Sequence, residues 1–345
     1  MSESSSSSEG ASLYPYQPSH VLPAVFAGLI GASLLLHIIQ NHRYRFWKIT
    51  FFMAWAGAIF CTGWILRCIS SYHTSNLNLY IAQTVLVLAG PPIYSAAEYN
   101  VLGRLMRYLP MHAPLHPGRV VVIFVYAGIA VESLTSAGAS LYATASVDDV
   151  SKFKLGGTLI SISLVLQAVI EVVFISLVAV IHRRCVSHRM LTPNVRKLCI
   201  MLYGTSAFVL IRCIFRAIES FALHTTDYCG TSSLCRFVSR NEWYLYAFEA
   251  APMVIYTYWI NIIHPGRLLP SSPNRYLDID GATERMGPGW VDTRSRWETF
   301  VDPLDIGGVI RGRPAHEEFW LKSDVWPVAE GGSFAKGTAT NVKCR

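Results

Sequence analysis

The feature that most restricts this chain is a set of seven apolar runs, each about as long as a lipid bilayer is thick. A helix rises about 1.5 Å per residue, so roughly 20 apolar residues cross a hydrocarbon core of about 30 Å. The runs cover about 20–39, 49–69, 79–102, 119–141, 156–181, 198–222 and 243–263. Only 15% of the 345 residues are charged and 52% are hydrophobic, whereas a soluble domain carries about 25% charged residues. The expected fold is an all-α membrane protein, a seven-transmembrane-helix bundle over 20–263. A disordered N-terminal segment (1–19) precedes it, and a polar, largely disordered tail (264–345) with scattered Trp290, Trp297, Trp320 and Trp326 follows.

Lysines and arginines set the expected orientation. The connections after runs one, three, five and seven carry thirteen: Arg43, Arg45 and Lys48, then Arg104, Arg107 and Arg119, then Arg183, Arg184, Arg189, Arg196 and Lys197, then Arg267 and Arg275. The opposite side carries four: Lys152, Lys154, Arg236 and Arg240. Basic residues accumulate on the cytoplasmic side of membrane proteins, so the N-terminus is expected outside and the tail in the cytoplasm. This asymmetry accounts for the net charge of +7, and no basic patch interleaved with aromatics points to nucleic acid. The Ser-rich first dozen residues have no basic residue and no apolar core. They are not a secretory signal peptide, and the first run acts as its own insertion signal.

An ionisable side chain at mid-bilayer costs about 2.5–3.5 kcal/mol on insertion scales, so each needs a partner or a wet cavity. The sixth run holds Arg212, Arg216 and Glu219, whose spacings of four and three place them on one helical face. That face is expected to point into the bundle. Counter-charges stand in other runs: Glu98, Glu132, Glu171 and Glu249, with Arg67 closing the second. One reading is interhelical salt bridges that fix packing. The sharper one is a polar cavity for an amphiphile, in which glutamates receive an amine and arginines an anion. Gly90-Pro91-Pro92 and Pro252 fall inside runs and are expected to break their helices, because proline removes a backbone donor. Gly28 and Gly31, with Ala27 and Ala32, suit close helix contact.

Of eight cysteines, only Cys229 and Cys235 share an expected exterior loop, where oxidation is permitted. Their spacing admits a short loop-closing disulfide or two free thiols. No phosphate-binding loop, no paired C-x-x-C and no H-E-x-x-H occurs, and the seventh run has no lysine. No cofactor, no metal and no catalytic residue is therefore expected. His112 and His116 flank Pro114 in a connection and read as solvent-exposed.

Two stretches carry a resemblance. Arg212-Cys213-Ile214-Phe215-Arg216-Ala217-Ile218-Glu219 resembles the R-x-x-[FY]-R-x-x-E segment of the fungal RTA1-like, or lipid-translocating exporter, family. Asn241-Glu242-Trp243-Tyr244-Leu245-Tyr246-Ala247-Phe248-Glu249-Ala250-Ala251-Pro252-Met253, followed by His264-Pro265-Gly266, is similar to its E-x-x-x-Y-x-[FL]-[DE]-x-x-P-M and H-P-G signatures. Gly63-Trp64-Ile65-Leu66-Arg67, the stretch from Gly90-Pro91 through Tyr99 to Leu102-Gly103-Arg104, and Gly156 to Gln167 resemble earlier family motifs. The resemblance covers about 14–270. Departures are Ala58 and Ile59, near where the family has an acidic residue, and Glu132-Ser133 in place of Asp-x-x-Ser. If these positions line the substrate path, the substrate differs.

The resemblance implies a seven-spanning protein that exports or flips sphingoid long-chain bases and confers resistance to toxic lipophiles. It implies membrane lipids and an amphiphilic substrate as partners, its head group passing beside Glu98, Glu219 and Glu249. The plasma membrane is the expected location, with endomembranes as the alternative. A rival reading is a seven-helix receptor or regulator that senses a lipophile and acts on a cytoplasmic partner through loop 182–197 or the tail. An intramembrane enzyme has the least support, since no catalytic pair is visible.

Overall fold

The computed structural model describes residues 12–14, 16–144, 150–225, 241–290, 295–302, 310, 318–330 and 334. Helix starts fall where the chain supplies caps. Helix α1 (Leu22–Tyr44) begins with Pro23 in its first turn, and Ser19 Oγ accepts from the Leu22 amide at 3.2 Å. Arg45, left-handed at φ 52°, turns the chain into α2 (Trp47–Tyr72). Asn76 caps α3 (Leu77–Tyr108) by accepting from the Leu79 amide at 3.2 Å. A 3-10 turn (Pro110–His112) leads to α4 (Pro117–Thr144), then α5 (Val150–Ser187) and α6 (Pro193–Thr225), the last capped by Thr192.

The six helices α1 to α6 are long and apolar enough to cross a membrane. The seventh expected run is built from three consecutive helical pieces: α7 (Trp243–Leu245), a π-turn (Tyr246–Ala250) and α8 (Ala251–Ile262). Pro252 explains the change of pattern. Its missing N–H falls where hydrogen bonding returns from the wider π spacing to α, so the irregularity becomes a π-turn rather than a gap. At Gly90-Pro91-Pro92 the structure departs from the expected break. Helix α3 runs unbroken through both prolines, which are buried. Dense packing holds it in line, since Gly90 lies so close to Phe60 that a Cβ there would come within 2.6 Å of the ring.

Consecutive helices pack side by side, and α8 packs on both α6 and α1, closing the ring. Helix α3 touches α2, α4, α5 and α6, which makes it the central element. The close α2–α3 approach depends on Gly63, where a Cβ would sit 2.9 Å from the Val87 nitrogen. Gly28, expected at a helix contact, faces open space, and Gly31 meets only Cys61 Sγ at 3.6 Å. Polarity runs inside-out compared with a soluble protein. Helix α5 exposes Ile162, Val165, Val169, Val172 and Val173 while burying Ser163, Gln167 and Glu171. Such an apolar exterior suits lipid and would aggregate in water.

The described part of the tail departs from the expected disorder. Residues Arg275–Leu277 (β1) pair antiparallel with Glu284–Met286 (β2), Arg275 opposite Met286. Tyr276, Phe319 and Trp320 form a small core beside them, with Trp290 and Trp326 packed against it. The hairpin is anchored on α3: Arg104 donates to the carbonyls of Pro270 and Ser272, and Tyr108 Oη donates to Glu284 Oε1 at 2.9 Å. His112, expected in solvent, is buried beside His188 and Met190. Burial, with smaller contributions from His188 and Arg184, pushes its imidazole down to about 4.

Candidate functional site

Residues Glu242, Glu249 and Tyr256 recur at steps of seven along 243–262 and its cap, about two turns apart. Each reaches a different tier of a polar seam that runs through the bundle.

At the end where the N-terminus lies, Arg67 on α2 is almost fully buried. Its Nη2 donates to Glu242 Oε1 and to Tyr16 Oη, both at 2.8 Å. Tyr246 Oη donates to the same Glu242 oxygen at 2.8 Å, and the Ser19 amide donates to the other at 2.7 Å. The segment before α1 thus straps across the bundle mouth. Burial, only partly countered by Arg67, raises the Tyr16 phenol above its ordinary range.

One tier deeper, Arg212 Nε donates to Glu249 Oε1 at 2.7 Å, with side chains 1% and 0% exposed. Arg216 pairs with Glu219 at 2.5 Å on its own helix and reaches Glu249 Oε2 at 3.4 Å. The one-face stripe read from the sixth run is therefore a linked four-residue network, Glu219–Arg216–Glu249–Arg212. It spans α6 and the π-turn. Like Arg67, these arginines hold carboxylates at distances expected of buried, charge-assisted pairs.

The third tier has acids without a base. Glu98 on α3 and Glu171 on α5 are 1% and 0% exposed. Ser206 Oγ donates to Glu98 Oε2 and Tyr99 Oη to Glu171 Oε1, both at 3.4 Å. Ser95, Thr205 and Tyr256 complete a hydroxyl lining, with Ser206 facing both carboxyls. Glu98 Oε1 and Glu171 Oε2 have no hydrogen-bond partner. Cys213 stands between this tier and the Arg212–Glu249 pair. Glu132 is within electrostatic reach of Arg212 but forms no salt bridge with it. It is half-buried on α4 and accepts from Ser136 one turn along the same helix at 3.4 Å.

The last tier, toward the tail, joins α1 to the end of α8. Asn261 Nδ2 donates to Ser33 Oγ at 2.6 Å, and Thr50 donates to Asn41 Oδ1 at 2.6 Å. The rings of His37 and His264 stand 5.0 Å apart. Both ring nitrogens of His37, Asn41 Nδ2, Asn261 Oδ1 and His264 Nε2 are buried without a protein partner, the pattern that ordered water satisfies. Burial, with His37 and Arg267 adding, pushes His264 down to about 3. Its Nδ1 caps the short α9 (Pro265–Leu268) by accepting from the Gly266 amide.

Of the residues singled out from sequence, Arg212, Arg216, Glu219 and Glu249 come together and Glu98 stands in the next tier, joined by Glu171. Glu242 and His264 were quoted only as parts of the family signatures, and neither the pairing of Glu242 with Arg67, nor the Tyr16 contact, nor the His37–His264 tier was foreseen. The steps of seven were the available signal for Glu242. Cys229 and Cys235 lie outside the described residues. No group of three or more His, Cys, Asp or Glu able to hold a metal ion occurs among the described residues.

Comparison with known proteins adds an independent finding. The sequence model of the family described as RTA1 like protein matches residues 53–272. A lipid-translocating exporter-like protein RTA1 of Leptosphaeria maculans is 35% identical over 290 residues, covering 81% of this chain and 55% of that one. The chain thus spans about half the length of that relative. A protein of the same name from Ajellomyces capsulatus is 30% identical over 73% of this chain and 80% of its own. A probable lipid transporter, atnI, of Emericella nidulans is 24% identical over 74% of this chain and 68% of its own. No solved structure matches.

Proposed function

Because the chain belongs to the RTA1-like protein family, and is a multi-pass membrane protein, we propose that it moves amphiphilic lipids across the bilayer, with sphingoid long-chain bases as the substrate class. In this reading the helical run 243–262 is the seventh span, the N-terminus lies outside and the tail hairpin caps the cytoplasmic end. The plasma membrane is the proposed location, with endomembranes as the alternative.

The observation that carries the proposal is the seam. A protein that only had to sit in lipid could fix its packing with the arginine–glutamate pairs alone and would gain nothing from buried acids left without a base, each costly in a membrane interior. A carrier for a head group needs them. A sphingoid base has a cationic amine and one long chain. The amine suits Glu98 and Glu171, whose carboxyls no arginine occupies. The chain would remain against the apolar outer surface. The names of the relatives support transport of lipid over catalysis.

Purified protein in liposomes is expected to move a labelled long-chain base between leaflets faster than empty liposomes do. Deleting the gene should raise cellular retention of the base and sensitivity to it. A liposome rate no faster than protein-free controls would refute the reading and favour a receptor or regulator of the same topology.

A further inference from the structure

The seam's charges do not balance, and the imbalance is local. Among the described residues, Arg67 is held by Glu242, Arg212 by Glu249 and Arg216 by Glu219. Two carboxyls remain in the third tier, Glu98 and Glu171. Both are fully buried, both face Ser206, and each has one oxygen without a hydrogen-bond partner of good geometry. The groups around them, element by element, supply no cation. Helix α3 brings Ser95 and Tyr99, α6 brings Thr205, Ser206 and Cys213, and α8 brings Tyr256. The Arg212–Glu249 pair beyond Cys213 is already neutral as a unit. Glu132 on α4 lies in reach of Arg212 rather than of the pair.

Two adjacent carboxylates in a medium of low dielectric cannot both stay ionised without a counter-charge. The cheapest neutral state carries a proton on each. We propose that the Glu98–Glu171 pair is a cation-exchange site, where one proton leaves for each organic ammonium that binds, so that lipid movement is coupled to a proton gradient. This deepens the transport reading and rests on it.

The exchange balances in charge. With two protons the pair is neutral. When an ammonium head enters, one O–H bond breaks and its proton passes to water. One ionised carboxylate then holds the ammonium, while the other acid keeps its proton. The total is again zero. The arginine networks nearer the N-terminal end need not change, because the charge in the bundle is the same in both states. Exchange of one cation for another moves no net charge across the membrane. It therefore responds to a pH difference and not to membrane potential, and each pH unit sustains about a tenfold difference in the cation.

The test uses purified full-length protein in sealed liposomes and a labelled single-chain alkyl-trimethylammonium. This probe cannot cross by shedding a proton, as a simple amine can. With one pH unit across the membrane, accumulation of about tenfold on the acidic side is expected. A potassium-diffusion potential at equal pH should produce none. Variants E98Q and E171Q keep the shape and are expected to fold, yet to weaken the pH-driven accumulation, which the double variant loses. Independently of transport, infrared spectra of the unloaded protein at neutral pH should show a protonated-carboxyl band that falls in each variant and falls further in the double variant, leaving only what the half-buried Glu132 contributes. Absence of that band from the wild type would overturn the proposal. So would wild-type transport that ignores the pH gradient while labelled lipid still crosses, an outcome that leaves the transport reading standing. Failure of every lipid to cross would remove the transport reading and the coupling together.

Discussion

Replacing Glu249 and replacing Glu98 by glutamine should have very unequal consequences for stability, although both are buried mid-span glutamates. Glu249 is 0% exposed and neutralises Arg212, itself 1% exposed, across 2.7 Å. Glutamine keeps the shape and can still accept a hydrogen bond, but it leaves a guanidinium uncompensated in the interior. Removing one partner of a buried pair costs about 3–5 kcal/mol. Arg216 would lose its 3.4 Å contact to Glu249 but keep Glu219, so most of the loss falls on Arg212. Glu98→Gln removes no counter-charge, because Glu98 has none, and should stay within about 1 kcal/mol of wild type. At roughly 2–4 °C per kcal/mol for a domain of this size, Glu249→Gln should lower the melting temperature by roughly 6–20 °C and Glu98→Gln by less than about 4 °C. The assay is thermal unfolding of detergent-purified protein followed by tryptophan fluorescence. The double change Arg212→Met with Glu249→Gln should recover part of the loss, since no lone charge is left. Equal melting temperatures for the two single variants would refute the division into paired and proton-neutralised acids.

Acidification supplies a further check at the tail end of the seam. Because His264 is held at about 3 against an unfolded value near 6.5, its contribution is fully present above about pH 6.5. It is lost as pH falls toward 3, since the unfolded chain takes up the proton first. The melting temperature should therefore drop between pH 7.5 and 5, and His264→Asn should flatten that slope; an unchanged slope would count against burial of the neutral ring. At the α2–α3 contact, Gly63→Ala would press a Cβ against the backbone at Val87 and should cost about 1–3 kcal/mol. Gly28→Ala, with nothing within 4 Å, should melt with wild type. The reverse order of melting temperatures would contradict the packing described.

What the sequence made legible follows from what periodicity and length encode. Six membrane-length helices were readable because an apolar run is a local property, and so was the shared face of Arg212, Arg216 and Glu219, three residues on one helix. The tail was misread because its order is not local. Tyr276 lies far in sequence from Phe319 and Trp320, and their core sits on a hairpin that Arg104 and Tyr108 hold to α3. The prolines of α3 were misread for a similar reason. Their effect on an isolated helix is a break, but the fit of Gly90 against Phe60 overrides it.

The glutamates show where the local signal ends. Glu98, Glu171 and Glu249 look alike in the sequence, each a single acid in an apolar run. What separates them is which element each one faces. The π-turn at Tyr246–Ala250 sets the phase of Glu249 so that it meets Arg212 and Arg216 on α6. Helices α3 and α5 instead bring Glu98 and Glu171 to a wall of hydroxyls. In the proposed reading the same side chain is a structural partner of arginine in one tier and a site for an exchangeable cation in the next. A carrier in this membrane needs both kinds: fixed pairs that keep the helices in register whatever is bound, and an acid pair whose neutrality can be supplied by either a proton or a head group.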